Sequence, residues 1–272
     1  HKLILDYIHE YNIDWTTAEK CQGLKSAEEC AQQFESKNEF FQRKLAPQFI
    51  KIAGINNPRM FVSPADCRLS AFDKVDVATE YWIKGKGFSI DTLLGGKNYP
   101  TVPDATKLKV TLPYGKLSDS YQNGSLLICR LAPDDYHRFH LPMDCVYMGH
   151  YKIPGEFYSV DPRIVNSSID VYSSNKREVH LLHNDHFGTV LCVVISATCT
   201  GSIEINPQLQ EYQHYSKGFD FGTFGFGGST LVLVFPPHTL AICRTFTQNS
   251  LHGNETYIKV GNRIGTAMKS LH

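Results

Sequence analysis

Beyond Pro47 the apolar residues arrive in short runs, each cut off by Gly, Pro, Asn or Asp: Leu108–Leu112, Ser125–Cys129, Val179–Leu182, Thr189–Ser196 and Leu231–Phe235. Runs this short are poorly suited to a buried helix but match strands covered on one or both faces. The body of the chain is therefore expected to be sheet. Three hairpin-like turns reinforce this reading: Lys217-Gly218 ahead of Gly222-x-Phe224, Lys259-Val260-Gly261 ahead of Ile264-Gly265, and, more loosely, Lys152-Ile-Pro-Gly155. Glycine turns repeated before short strands suit a compact β-sandwich of the lipoyl or biotinyl barrel-sandwich type.

Residues before Pro47 follow a different period. Ile4, Tyr7, Ile8 and Tyr11 recur on one helical face, and Ser26-x-x-Glu29 and Ser36-x-x-Glu39 are capping-box patterns. The expected fold is thus α+β and β-rich, with a helical segment over 1–50 set on a β-rich domain over 51–272. The apolar face of the first helix reads as core, with a surface lying on a membrane as the competing reading.

The 272 residues suffice for one large core. Lys and Arg number 27, as do Asp and Glu, so no net field draws the chain to nucleic acid. No apolar run reaches the length of a membrane-spanning helix. The eight cysteines are scattered without a CxxC pair and are expected to be mostly reduced.

Gly227-Gly228-Ser229-Thr230 directly precedes the run Leu231–Phe235. A hydrolase nucleophile elbow needs a glycine two residues after the serine and then a helix, whereas here Leu231 stands at that position inside an apolar strand pattern. A phosphate-cradling loop fails as well, because no helix follows to present its N–H groups. His180, His183 and His186 are spaced by three, which on a strand sends successive rings to opposite faces and spoils a metal site. No metal is expected. The least core-like segment is Arg130-Leu-Ala-Pro-Asp-Asp-Tyr136-His137-Arg-Phe-His140-Leu-Pro142, stiff and polar, which reads as a functional loop.

That segment and the Gly-Gly-Ser-Thr element together resemble phosphatidylserine decarboxylases. The likeness extends to Asn38-Glu-Phe-Phe-Gln-Arg-Lys-Leu-Ala-Pro47, to Ser63-Pro-Ala-Asp66, to Trp82-Ile-Lys-Gly-Lys-Gly-Phe-Ser-Ile90 and to Thr200-Gly-Ser-Ile203, in family order. Cys145 and Ala46 depart from the family's usual glycine and lysine. The GGST form is more similar to the eukaryotic endomembrane branch (ER, Golgi or vacuole) than to bacterial or mitochondrial enzymes.

The resemblance implies a self-processing enzyme. Ser229 would attack the Gly228 carbonyl, break the chain there, and become a covalent pyruvoyl group that serves as the cofactor, with no PLP and no metal. Residues 1–228 would form the large chain and 229–272 the small one. His140 would be the base for cleavage, oriented by Asp66; His137 would handle the substrate carboxylate or a proton; Tyr136 is a weaker substrate-binding candidate. The implied partner is phosphatidylserine in membranes, reached by peripheral contact, and the family's habit of forming homodimers has no signal of its own here. Two alternatives remain open: a related decarboxylase acting on a free aromatic amino acid, and a Ser-His-Asp hydrolase.

Overall fold

The computed structural model of the chain describes residues 1–81, 88–96, 117–165, 167, 169–199 and 202–269. The strand expected over Leu108–Leu112 lies outside the described residues, as do positions 82–87 of the lysine and glycine element and positions 200–201 of the Thr-Gly-Ser-Ile stretch.

Fourteen strands are described: β1 (Met60–Val62), β2 (Cys67–Phe72), β3 (Leu126–Leu131), β4 (Arg138–His140), β5 (Cys145–Ile153), β6 (Arg177–Asn184), β7 (Gly188–Cys199), β8 (Ile203–Ile205), β9 (His214–Tyr215), β10 (Asp220–Phe224), β11 (Gly227–Val234), β12 (Leu240–Ile242), β13 (Thr256–Ile258) and β14 (Arg263–Ala267). Eight of them form one antiparallel sheet in the order β13-β2-β3-β11-β7-β6-β5-β9. Two three-stranded sheets, β1-β14-β12 and β4-β10-β8, complete the body. The expected α+β, β-rich class is what forms. The sheets are open, and no closed barrel of the expected barrel-sandwich kind occurs among the described residues.

Strand β11 explains the abruptness of its own sequence. Leu231 and Leu233 enter one core with Phe61, Phe139 and Phe235, while Val232 and Val234 enter a second core on the other face with Leu126, Val193 and Ile195. A strand covered on both faces must be apolar at every position, not at alternate ones.

At the N-terminus, α1 (Lys2–Glu10) buries Ile4, Tyr7 and Ile8 against Phe34, Phe40 and Phe41. Its apolar face is core, as the first of the two readings expects; of its large apolar side chains Leu3 is exposed, at 70%. The two capping boxes start α2 (Ala27–Ala31) and α3 (Lys37–Phe41): Ser26 and Ser36 accept from the Glu29 and Glu39 N–H groups at 3.2 and 3.1 Å. The glutamates reach back one residue further than the motif suggests, to the N–H groups of Lys25 and Glu35. Cys21 and Cys30 form a disulfide, whereas Cys67, Cys129, Cys145, Cys192 and Cys243 are free. The reduced state therefore holds for those five and is corrected for the first pair, because the turn into α2 brings their Cα atoms to 5.3 Å, within bridging range. No described helix is long and apolar enough to cross a membrane.

The two closest hairpin copies meet at one side chain. Gly218 and Gly261 have φ of +86° and +82°, and a Cβ on either would stand 2.8 Å from the Ile52 side chain. Gly155 has no such conformation; its neighbours are the backbone of Ser174 and Asn175. The Gly261→Ala variant is expected to lose about 2 kcal/mol or more of stability, since the left-handed backbone and a 2.4 Å approach to the Lys51 carbonyl both oppose a side chain. Chemical denaturation measures this loss, and an unchanged midpoint would show that the turn relaxes freely.

Candidate active site

Ser229 lies near the start of β11, opposite Leu131 of β3 and Ser196 of β7. Between Gly227 and Ser229 the pairing with β7 slips by one residue, so the Gly228–Ser229 peptide sits at a local irregularity in an otherwise regular ladder. Glycine is needed at both preceding positions for different reasons. Gly227 has a positive φ of 150°, and a Cβ on Gly228 would come within 2.8 Å of Val160 and 3.2 Å of Ala197. The Ser229 side chain is fully buried, and its Oγ has no hydrogen-bond partner among the described residues. Leaving a buried hydroxyl unpaired costs about 1–3 kcal/mol, a cost the fold bears at this serine.

The two histidines of the polar loop, His137 and His140, are both buried. His137 donates from Nδ1 to the Asp135 carbonyl at 2.9 Å, which leaves Nε2 as a lone-pair acceptor without a partner among the described residues. Its ring lies against Phe41 at 3.8 Å between centroids. Burial pushes its pKa down to about 3, and it is neutral. His140 donates from Nδ1 to the Gly218 carbonyl at 2.9 Å and accepts at Nε2 from the Tyr136 hydroxyl at 3.1 Å. Burial lowers its pKa too, and raises that of Tyr136. Each imidazole thus has a fixed tautomer with its basic lone pair on Nε2.

The structure joins His140 with Tyr136 but not with Asp66. Asp66 accepts from the Val260 N–H at 2.8 Å, and its pKa is raised, chiefly by burial. The expectation that Asp66 orients the imidazole is corrected in this respect: the Gly218 carbonyl occupies the Nδ1 side. Ser229 makes no hydrogen bond to either histidine. It is linked to His137 by packing, since Phe226, three residues ahead of Ser229, meets Phe41 at 5.1 Å, and Phe41 covers the His137 ring. The Phe226 N–H is held by the Asn38 side chain at 2.7 Å, and the Phe224 N–H by the His137 carbonyl at 3.0 Å.

Several supporting residues escaped the sequence reading. Asp135, pushed up to about 6 by burial, pairs with Arg68 and accepts from the Ala132 N–H at 2.7 Å, fixing the loop whose carbonyl orients His137. Lys217 donates to the carbonyls of Gly54 and Asn57, both at 2.8 Å, anchoring the turn whose Gly218 orients His140. The Lys-Gly turn was legible; the use of its carbonyl was not. Arg43 is buried beside Phe40, within the Asn38–Pro47 element. His180 and His183 donate or accept locally, to Tyr147 and Thr189, and no group able to hold a metal occurs among the described residues.

The depressed pKa of His137 has a consequence for stability. The unfolded chain takes up its proton near the ordinary histidine value of about 6.5, and the folded chain only near 3, so stability falls as pH is lowered through that window. The His137→Asn variant is expected to show an acid-side slope of unfolding free energy against pH shallower by up to about one proton. Denaturant titrations between pH 6.5 and 4 read this; an identical slope would place His137 in contact with solvent.

Comparison with known proteins places these elements in a family. The phosphatidylserine decarboxylase profile matches residues 37–266. A phosphatidylserine decarboxylase proenzyme 2 of Oryza sativa subsp. japonica is 38% identical over 249 residues, covering 91% of this chain and 37% of the rice protein. A phosphatidylserine decarboxylase proenzyme 3 of Schizosaccharomyces pombe is 35% identical over 232 residues, covering 85% of this chain and 22% of its own length. A proenzyme of Clostridium novyi is 34% identical over 270 residues, covering 98% of this chain and 80% of the clostridial protein. The chain thus spans little more than a third of the rice relative and about a fifth of the fission-yeast one.

Proposed function

This chain belongs to the phosphatidylserine decarboxylase family, and from that membership we propose that it removes the serine carboxyl of phosphatidylserine, giving phosphatidylethanolamine and CO2, after processing its own Ser229. The observation that carries the reading is the buried, unpaired Ser229 hydroxyl, placed immediately after a crowded glycine on a strand whose upstream Phe226 packs through Phe41 onto the neutral His137.

Cleavage begins with the Ser229 Oγ attacking the Gly228 carbonyl carbon, which shifts the acyl group from nitrogen to oxygen. Loss of the Ser229 α-proton then expels Gly228 as a carboxylate, and the remaining dehydroalanine takes up water and releases ammonia. His140, neutral and with its lone pair on Nε2, receives the hydroxyl proton; the Gly218 carbonyl holds its ring, and the Tyr136 hydroxyl offers a relay. A positioned base of this kind contributes about 10²- to 10⁴-fold. Asp66 acts on this cluster through its field at Tyr136. The residue environment fits a pyruvoyl group at 229, because the position is dry, lies at a strand start and leaves its oxygen without a competing partner. Once formed, that group supplies an electron sink for the decarboxylation step. His137 then holds or delivers the proton that replaces the carboxyl group.

Membrane contact falls on the connection between β5 and β6. Its Val160 packs on Gly228, and Phe157, Tyr158, Ile164 and Ile169 are exposed on it. A peripheral surface there would bring lipid to the site without a spanning helix. The placement in eukaryotic endomembranes rests on the Gly-Gly-Ser-Thr element, and dimer formation on the family habit.

Mass spectrometry of the purified protein is expected to show a break after Gly228, with a 44-residue small fragment blocked at its N-terminus. Ser229→Ala and His140→Ala should each leave one chain, while His137→Ala should cleave yet release CO2 at least about 10²-fold more slowly. Phosphatidylserine vesicles and free aromatic amino acids compared as substrates decide the specificity; CO2 from the amino acids alone would reverse the assignment.

For the membrane surface, Phe157→Ser together with Ile164→Ser is expected to weaken sedimentation with anionic vesicles by about tenfold while leaving cleavage intact. Equal sedimentation would move the contact elsewhere.

A further inference from the structure

We propose that Arg43 grips the phosphodiester of the lipid substrate. The inference rests on the decarboxylase reading above and assigns it a specificity residue. Arg43 follows α3 and is buried, 6% exposed. Its Nη1 donates to the Phe40 carbonyl at 3.4 Å, its guanidinium lies 4.9 Å from the Phe40 ring, and its Nε has no partner among the described residues. No described carboxylate forms an ion pair with it. A guanidinium cannot shed its charge as a buried lysine can, so it calls for an anion when it is taken out of water.

The position of that charge points to the substrate. The Phe41 ring, two residues before Arg43, covers His137, and the Leu45 backbone, two residues after, lies close to the Tyr136 hydroxyl. The field of Arg43 is felt at His137 and at Asp66. The segment 41–45 is therefore a wall of the candidate active site, and its one buried cation, Arg43, acts on residues assigned to the chemistry.

Phosphatidylserine brings two anions, and the reaction discriminates between them. The carboxylate must leave as neutral CO2, so a cation holding it would stabilise the ground state more than the transition state and slow the reaction. The phosphodiester keeps its charge from substrate to product. A bidentate guanidinium fits its oxygens and adds binding that is equal throughout the reaction.

The test compares Arg43→Met and Arg43→Lys with the wild-type protein. Both variants are expected to break after Gly228, which reports a native fold. With dihexanoyl phosphatidylserine, Arg43→Met should raise KM about tenfold or more with kcat changed less than about threefold, and Arg43→Lys should fall between. With O-hexadecyl serine, which keeps the amine and carboxylate and lacks the phosphodiester, KM should not change. Calorimetry with dihexanoyl phosphatidylglycerol, an amine-free phosphodiester, should show binding to the cleaved wild-type protein and at least about tenfold weaker binding to Arg43→Met. An unchanged KM and unchanged binding, or no binding to the wild-type protein, would overturn the proposal. Equal loss on both substrates would assign Arg43 to the carboxylate instead, and failure of both variants to cleave would make it a structural cation; either outcome overturns it as well. If the wild-type protein releases no CO2 from phosphatidylserine, the decarboxylase reading falls, while the calorimetric arm still judges Arg43 on its own.

Discussion

The backbone pairing of β11 on both sides is the constraint from which the other features follow. From Ser229 to Val234 the strand is matched residue by residue with β3, and with β7 along the same stretch. A bond broken at its upstream end leaves this ladder intact. The described residues that follow are woven through the body, because β13 pairs with β2 at one edge of the large sheet, while β14 pairs with β1 in a separate sheet. Each buried Leu or Val of β11 contributes about 1.5–3 kcal/mol by leaving water. A nick after Gly228 therefore changes covalent connectivity without releasing a piece, and residue 229 stays aimed where the fold put it.

The same burial sets the acid–base state of the site. Imidazole at neutral pH is ordinarily a mixture of charged and neutral forms, but in a dry pocket the charged form is penalised and the neutral base prevails. Both histidines are oriented by backbone carbonyls, from Asp135 and Gly218, so a formal negative charge is not needed to fix the tautomer. That division of labour suits the proposed single self-cleavage: a carboxylate against the ring would favour the imidazolium, whereas a carbonyl orients the ring with less bias toward charge.

Much of this was legible in the sequence, for identifiable reasons. The helical spacing of Ile4, Tyr7 and Ile8 and the caps at Ser26 and Ser36 are local signals, and they form as local rules dictate. The strands β6, β7 and β11 were visible as apolar runs. Sheet order was not legible, since β11 lies between β3 and β7, partners 100 and 30 or so residues away in the chain, and nothing local specifies such pairing. The motif resemblance nominated Asp66, His137, His140 and Ser229, but which of them touch is a tertiary fact. Gly218 could be read as a turn residue; that its carbonyl would take the place given to Asp66 depended on Lys217 being tied to the carbonyls of Gly54 and Asn57, far off in sequence.

The N-terminal helices illustrate how one segment can serve two ends. Their apolar face is used up in packing, with Tyr7 and Phe41 against Phe226 and Phe40 against Tyr7. Because Phe226 lies three residues before Ser229, the helical segment holds the chain just upstream of the Gly228–Ser229 bond, and the Asn38 side chain fixes the Phe226 N–H directly. After a break at Gly228 this upstream end would be a free terminus, yet the aromatic cluster and the Asn38 hydrogen bond both lie within residues 1–228 and persist. The new terminus is thereby kept beside the site by contacts that do not involve the broken peptide, so access of a substrate past Gly228 depends on the few residues between Phe226 and the break.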